Sequence, residues 1–316
     1  MAERFLMICA LALIVASGCD HDKMEDDVVL DGYTPDTALM TFDAVYSGSS
    51  NFADSRGSLT GSFVDDDNIG VYAYYTPQGA VQQQSEPNFM NNQLMTKSGN
   101  SWLYSPMKHW STNIYDTFEF QAYAPFGSEA NGIVASSVDG MLAIDYMVPE
   151  ECASQPDLMI SEPISQSLAL SECVNLEFYH ALATVSFKVV GDPSFKVVAI
   201  SLSGVKNLGT LGWSHGDSAL NWSGVKATDT TIEFSAILDE NVTSDGDSAT
   251  TVTAAEGYLM MIPQIIPEEG FTVHVTTMIG STEVKSELQM LPTMVDEWKV
   301  NGRYCYIINL EDQEQV

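Results

Sequence analysis

The residues of this 316-residue chain that could do catalytic chemistry are its five histidines, five cysteines and 43 acidic residues. A hydrolase needs a paired nucleophile and base, or two carboxylates across a cleft. The sequence has no G-x-S-x-G, H-E-x-x-H or C-x-x-C motif and no phosphate-binding glycine loop. His180 lies in an apolar, strand-like block, where a core position is commoner than a catalytic base. We therefore predict no catalytic residue and no cofactor.

The metal-ligating side chains also lack a recognisable spacing. No arrangement of the cysteines and histidines matches a zinc site. The run Asp65–Asn68 offers oxygen ligands suited to Ca²⁺ but lacks the full spacing of an EF-hand loop. We interpret this run as a turn before the strand that begins at Ile69, and we predict no metal site.

Cys19 has a different chemistry, because it follows an apolar segment and three small residues. The apolar segment, residues 5–16, is shorter than the roughly 20 residues that span a bilayer. Small residues directly before a cysteine resemble the lipobox of bacterial lipoproteins; an ordinary signal peptide cut near Cys19 is the alternative. We predict a signal peptide over residues 1–18, acylation of Cys19 and attachment to the cell outer membrane through the lipid.

The segment after Cys19 and the overall charge limit the partners. Residues 19–36 are acidic and polar without sustained periodicity, which predicts a tether. The acidic cluster behind Cys19 is similar to surface-export signals of Bacteroides-type lipoproteins, but a solvated linker fits equally well. The net charge is −31, and removing residues 1–18 leaves it unchanged. Such a charge argues against nucleic acid as a partner.

Three cysteines remain after the signal and Cys19: Cys152, Cys173 and Cys305. The number is odd, so at least one thiol has no partner within the mature chain. A disulfide between Cys152 and Cys173 and buried thiols are both compatible with an exported protein.

Beyond the tether almost every periodic segment alternates with period 2, as "MTFDAVY" and "FEFQAYAPF" do. Turns rich in Gly, Asn, Asp, Ser and Pro separate these segments, and no long amphipathic helix is present. Many short strands with regular turns predict an all-β fold of antiparallel β-sandwiches. We expect two domains, residues 37–165 and 166–316, joined in the polar stretch 161–173.

Several segments, in this order, resemble the fimbrillin family, the Mfa-like and FimA-like type V pilus subunits of Bacteroidales. They are "DDDNIGVYAYY", "WLYSPMKHWS" and "FEFQAYAPF", then "DLMISEP", "VNLEFYHALATVSFKV", "YLMMIPQ" and "WKVNGRYCYIINL". The resemblance implies two tandem transthyretin-like antiparallel β-sandwich domains and export as a lipoprotein. It also implies a place on the cell surface or in an extracellular fimbrium, other fimbrillin subunits as partners, and adhesion to a host or glycan ligand.

The resemblance further implies assembly by strand donation. In that family a trypsin-like surface protease cuts after an arginine, the first strand is lost, and a strand of the next subunit fills the groove. The candidate cut lies between Arg56 and Gly57, because Arg56 is the single Lys or Arg between the tether and Lys97. An exposed loop arginine without a role is the alternative. The removable first strand would carry Met40, Phe42, Ala44 and Tyr46 on one face.

The candidate donor is the last strand of the chain. Its alternating apolar face carries Tyr304, Tyr306, Ile308 and Leu310. The same strand could instead close its own sandwich, because only six residues follow Leu310.

A surface glycan-binding lipoprotein of a polysaccharide-uptake system is the alternative function. Such a protein would stack sugars on exposed aromatic side chains, and five tryptophans are available: Trp102, Trp110, Trp213, Trp222 and Trp298. Because they are spread singly through strand-like segments, we expect core positions for them.

Overall fold

The computed structural model describes residues 38–46, 62–80, 85–170, 172–213, 220–241 and 258–310. Within these residues the chain forms 21 β-strands and two short 3₁₀ helices, Glu129–Asn131 and Cys152–Ser154. The predicted all-β class is confirmed; the transthyretin-like arrangement of two domains stays a prediction. No helix of the described part is long and apolar enough to cross a membrane.

The largest sheet has eight strands and surrounds the first of two cores. Along the sheet the strands follow in the order β1 (Thr41–Tyr46), β10 (Cys173–His180), β8 (Met159–Ser161), β5 (Thr117–Ala124), β2 (Asn68–Thr76), β3 (Met90–Ser98) and β4 (Ser101–Tyr104), with β9 (Ile164–Gln166) also beside β5. The pair β1 and β10 is parallel, and the other pairs are antiparallel.

Strand β2 shows why this sheet is buried on both faces at its centre. Ile69, Val71 and Ala73 point into the first core, whereas Tyr72 and Tyr74 belong to the second. A strand covered on both sides has a continuous apolar sequence, as "IGVYAYY" has.

The other sheets enclose the second core together with the outer face of the first sheet. One sheet has the order β14 (Leu220–Lys226), β13 (Leu208–Trp213), β7 (Met141–Met147) and β6 (Ile133–Val138). Another has β15 (Phe234–Asn241), β12 (Phe195–Ser203), β18 (Phe271–Ile279) and β19 (Thr282–Met290). Two small sheets consist of β16 (Leu259–Met261), β11 (Ala183–Val190) and β21 (Arg303–Asn309), and of β17 (Gln264–Ile265) with β20 (Glu297–Trp298).

Strand pairing crosses the expected joint at residue 165. Strand β10 follows that position and completes the first sheet between β1 and β8, while β13 pairs with β7. Only Ala181 and Leu182 separate β10 from β11, so the chain passes from the first core to the second at that point. A division into residues 37–165 and 166–316 stays a prediction.

The run Asp65–Asn68 forms the turn that leads into β2. Asp65 Oδ1 accepts a hydrogen bond from the backbone N of Gly99 at 2.7 Å, and Asp67 Oδ2 accepts one from the backbone N of Val64 at 2.8 Å. Asp66 adopts a φ of 73°, which Asp tolerates better than most residues. These carboxylates are thus used by the turn. No group of three or more His, Cys, Asp or Glu in the described ranges is placed to hold a metal ion.

Candidate strand-exchange site

Strand β1 lies in a groove between two parts of the first sheet. On one side it pairs in parallel with β10, from Thr41 opposite Cys173 to Tyr46 opposite Phe178. On the other side Met40 N donates to Lys108 O at 2.9 Å, and Trp110 N donates to Ala38 O at 3.0 Å. The residues directly before β1 therefore bond to the segment that follows β4, at the far end of the sheet. This strand joins the two ends of the sheet around the first core.

The four residues expected on one face of the first strand all point inward. Met40, Phe42 and Ala44 are buried, and Tyr46 is half-buried. The ring of Phe42 packs edge-on against Tyr104 at 5.5 Å and Phe120 at 5.7 Å between centroids. Val45, on the opposite face, is 52 % exposed. The apolar face of β1 is thus part of the first core.

The far end of β1 is covered by an aromatic cluster. The ring of Phe63 lies 4.5 Å from that of Tyr46, 5.1 Å from that of Trp102 and 5.2 Å from that of Phe178. The hydroxyl of Tyr46 is buried and has no hydrogen-bond partner among the described residues. This end of the groove is therefore closely packed but leaves a polar atom unsatisfied.

A buried ionisable pair lies beside the same end. His180, the last residue of β10, places Nδ1 2.9 Å from Asp157 Oδ2, and both side chains are at most 5 % exposed. The imidazole ring also lies 5.7 Å from the ring of Tyr46. Burial acts to lower the pKa of His180, but the hydrogen bond and the negative charge of Asp157 outweigh it and raise that pKa.

Strand β21, the candidate donor, lies beside β11 in its own chain. The pair is parallel, from Arg303 opposite Thr184 to Asn309 opposite Val190. Ile308 and Leu310 are buried, and Tyr304 and Tyr306 are half-buried. Tyr306 Oη accepts a 2.9 Å hydrogen bond from Trp298 Nε1, and its ring packs 5.3 Å from Phe271. In this chain, therefore, β21 closes the second core.

Strand β21 is also the edge strand of its three-stranded sheet in the described part of the chain. Its outward face is open, with Cys305 exposed and Ile307 60 % exposed. An edge strand is held on one side only, so it can leave its sheet at a lower cost than an internal strand.

Residues 55–316 match the sequence profile of the fimbrillin-like family. This match covers most of the chain. The chain belongs to the fimbrillin-like family. No curated protein sequence matches it.

Solved structures share the fold of this fimbrillin-like chain at low sequence identity. A fimbrial protein from Bacteroides vulgatus is 16 % identical, with a TM-score of 0.56 over 86 % of this chain and 95 % of that chain. A candidate cell adhesion protein from Bacteroides uniformis is 15 % identical, with a TM-score of 0.52 over 87 % of this chain and 95 % of that one. Another from Bacteroides ovatus is 16 % identical, with a TM-score of 0.51 over 88 % and 94 %.

The tryptophans of this fimbrillin-like chain have structural positions. Trp102, Trp110 and Trp298 are at most 5 % exposed. Trp222 is half-buried and donates from Nε1 to the carbonyl of Ala181 at 2.9 Å, and Trp213, also half-buried, donates to the carbonyl of Ser161. The expected core positions are thus found for Trp102, Trp110 and Trp298, whereas Trp213 and Trp222 are partly exposed.

For Cys152 the structure decides between the two alternatives that the sequence left open. Cys152 carries a buried thiol, whose Sγ lies 3.5 Å from the carbonyl oxygen of Tyr258, and Cys305 carries an exposed thiol. The disulfide between Cys152 and Cys173 that the sequence allowed is therefore wrong. The two cysteines are only 21 positions apart in the sequence, but their side chains do not meet. Cys152 belongs to the second core and Cys173 to the first sheet.

Other predicted positions lie outside the described residues. They are Cys19 with the tether, and the candidate cut at Arg56 and Gly57. Conversely, no sequence pattern indicated Asp157 as the partner of His180. The two residues meet only because β8 and β10 pair antiparallel, with Met159 opposite His180.

Proposed function

We propose that this fimbrillin-like chain is a non-catalytic structural or accessory subunit of a surface fimbria that assembles by protease-triggered β-strand donation. The observation that carries the proposal is the position of β1, a separate strand that fills a groove between β10 and residues 108–110. Its loss would leave backbone N–H and C=O groups of β10 unpaired and would open the first core to water. An inserted strand of another subunit would repair both.

The chain order is compatible with removal of β1. Strand β1 ends at Tyr46 and β2 begins at Asn68, so Arg56 lies between them in sequence. In the proposal a trypsin-like surface protease cuts between Arg56 and Gly57, and a lipid on Cys19 holds the precursor on the outer membrane. The released segment would then include the tether and β1.

Strand β21 would supply the donor. It is an edge strand with one apolar face, Tyr304, Tyr306, Ile308 and Leu310, and it would have to leave β11 to reach a neighbour. Binding energy between subunits would come from this exchange of main-chain hydrogen bonds and core contacts. The family points to adhesion as the purpose of the assembly.

The test is the N-terminus of protein recovered from cells, read by mass spectrometry that detects a lipidated peptide. Assembled wild-type protein should begin at Gly57. The Arg56→Ala variant should keep acylated Cys19 and stay out of SDS-sensitive ladders, because the groove remains filled. Lys285→Ala, which removes an exposed basic residue of β19, is the matched control and should mature normally. Unchanged assembly of Arg56→Ala would overturn the proposal.

A further inference from the structure

The end of the β1 groove is acidic and poorly matched to the tyrosine that occupies it. Tyr46, Asp67 and Asp157 line a cavity of about 150 Å³. The hydroxyl of Tyr46 is buried without a hydrogen-bond partner in the described part of the chain. Burial, together with the charges of Asp67 and Asp157, raises the pKa of this phenol. A buried hydroxyl without a hydrogen bond lowers the stability of the folded state. Tyr46 is therefore an unfavourable residue at this position.

The negative charge of the cavity is only partly balanced. Asp157 is paired with His180. No Lys or Arg of the described residues forms an ion pair with Asp67, which is partly buried. Asp157 Oδ2 lies 2.9 Å from His180 Nδ1, and Asp67 Oδ2 accepts a hydrogen bond from the backbone N of Val64. A cation at position 46 would lie at a cavity that both of these carboxylates line.

The neighbouring inward position holds a small side chain. Ala44 is 8 % exposed, lies in the first core and is opposite Leu176 of β10. Larger side chains forced into a packed core displace their neighbours and cost stability. From Met40 to Tyr46 the groove therefore holds two large residues, then a small residue, and then a residue beside two carboxylates.

The chain's own last strand does not have this pattern. Laid over the same four positions in parallel, β21 puts Ile308 at the site of Ala44 and Leu310 at the site of Tyr46. Laid antiparallel, it puts Tyr306 at the site of Ala44 and Tyr304 at the site of Tyr46. In this register, in both directions, a bulky residue falls on the small site and no cation reaches the acidic cavity.

We propose that this groove selects a donor strand from a different subunit, with an inward face of large, large, small and Lys or Arg, over the β21 strand of its own kind. The proposal rests on the strand donation proposed above and names its partner. The fimbria would therefore contain this chain next to a second kind of subunit on its acceptor side.

The thermal stability of the intact chain measures how well a side chain fits the groove, because the chain's own β1 occupies it. Tyr46→Lys should have a higher thermal midpoint than Tyr46→Met, a side chain of similar length without charge, by about 2 °C or more. The Asp67→Asn background should abolish this gap. Ala44→Ile should lower the midpoint by several degrees, at least about 3 °C. Val45→Ile, on the exposed outward face, should leave it unchanged.

Two results would overturn the selection. One is a Tyr46→Lys variant no more stable than Tyr46→Met in the Asp67 background, and the other is an Ala44→Ile variant as stable as Val45→Ile. These melting experiments do not depend on cleavage. A failure of strand donation shows instead in the Arg56→Ala maturation test, so the two failures are distinguishable.

Discussion

Tyr104 Oη donates a 2.7 Å hydrogen bond to the backbone carbonyl of Met40. Met40 directly precedes β1 and Tyr104 ends β4, the strands at opposite ends of the order of the first sheet, so this side chain bridges the two ends. Burial of the phenol raises its pKa, so the hydroxyl keeps its proton for donation. The bond holds β1 on the side away from β10.

Tyr104→Phe should lower the free energy of unfolding by about 1 kcal/mol, because the carbonyl of Met40 loses its donor while the ring packing remains. Urea unfolding of the two proteins measures the difference. Tyr115→Phe, a change at a 60 % exposed tyrosine, is the control and should be neutral. Equal stability of Tyr104→Phe and wild type would show that the bond does not hold β1.

Phe42→Ala should cost about 3–5 kcal/mol, since it removes a ring buried against Tyr104 and Phe120 and leaves a cavity in the first core. Val45→Ala, on the exposed face of the same strand, should cost less than about 0.5 kcal/mol. Chemical denaturation measures both. A loss at Phe42 no larger than that at Val45 would contradict the burial of this face.

The pair of His180 and Asp157 should make stability depend on pH. The folded-state pKa of His180 is raised above its ordinary value of 6.5. Its contribution is therefore fully present below that value and is lost as the pH rises through the folded-state pKa. The free-energy advantage of wild type over His180→Gln should be larger at about pH 6 than at about pH 9. An advantage that is constant or grows with pH would refute this assignment.

Gly132→Ala should be strongly destabilising, by more than about 2 kcal/mol. Gly132 has a φ of 70°, and an added Cβ would collide with the backbone carbonyl of Met147. Gly280→Ala is the matched control: its φ is 63°, but the added Cβ meets nothing within 4 Å. It should cost only about 1 kcal/mol. Similar losses at the two positions would mean that the collision at Gly132 is relieved by movement.

Cys305 should react quickly with a thiol reagent in the folded protein, because it is exposed on the outward face of β21. Cys152 is buried and should react only on unfolding. Cys305→Ser should therefore remove a fast phase of labelling that Cys152→Ser retains. A fast phase that persists in Cys305→Ser would place another thiol at the surface.

Local sequence was sufficient for the secondary structure and for the inward faces. The period-2 pattern of Met40, Phe42 and Ala44 reflects side chains that alternate across a strand, so it predicts which residues are buried wherever the strand goes. The turn at Asp65–Asn68 is likewise encoded by neighbouring residues, whose side chains bond to nearby backbone.

What the sequence by itself determined is thus the all-β class, the alternation of each strand and the resemblance to the family. Only the tertiary structure decided that β1 pairs in parallel with β10, that β10 belongs to the first core, and that His180 meets Asp157. Pairing between distant strands has no local signature, because the same alternating pattern fits any partner with an apolar face. The groove and its acidic end depend on contacts between segments that are far apart in the chain.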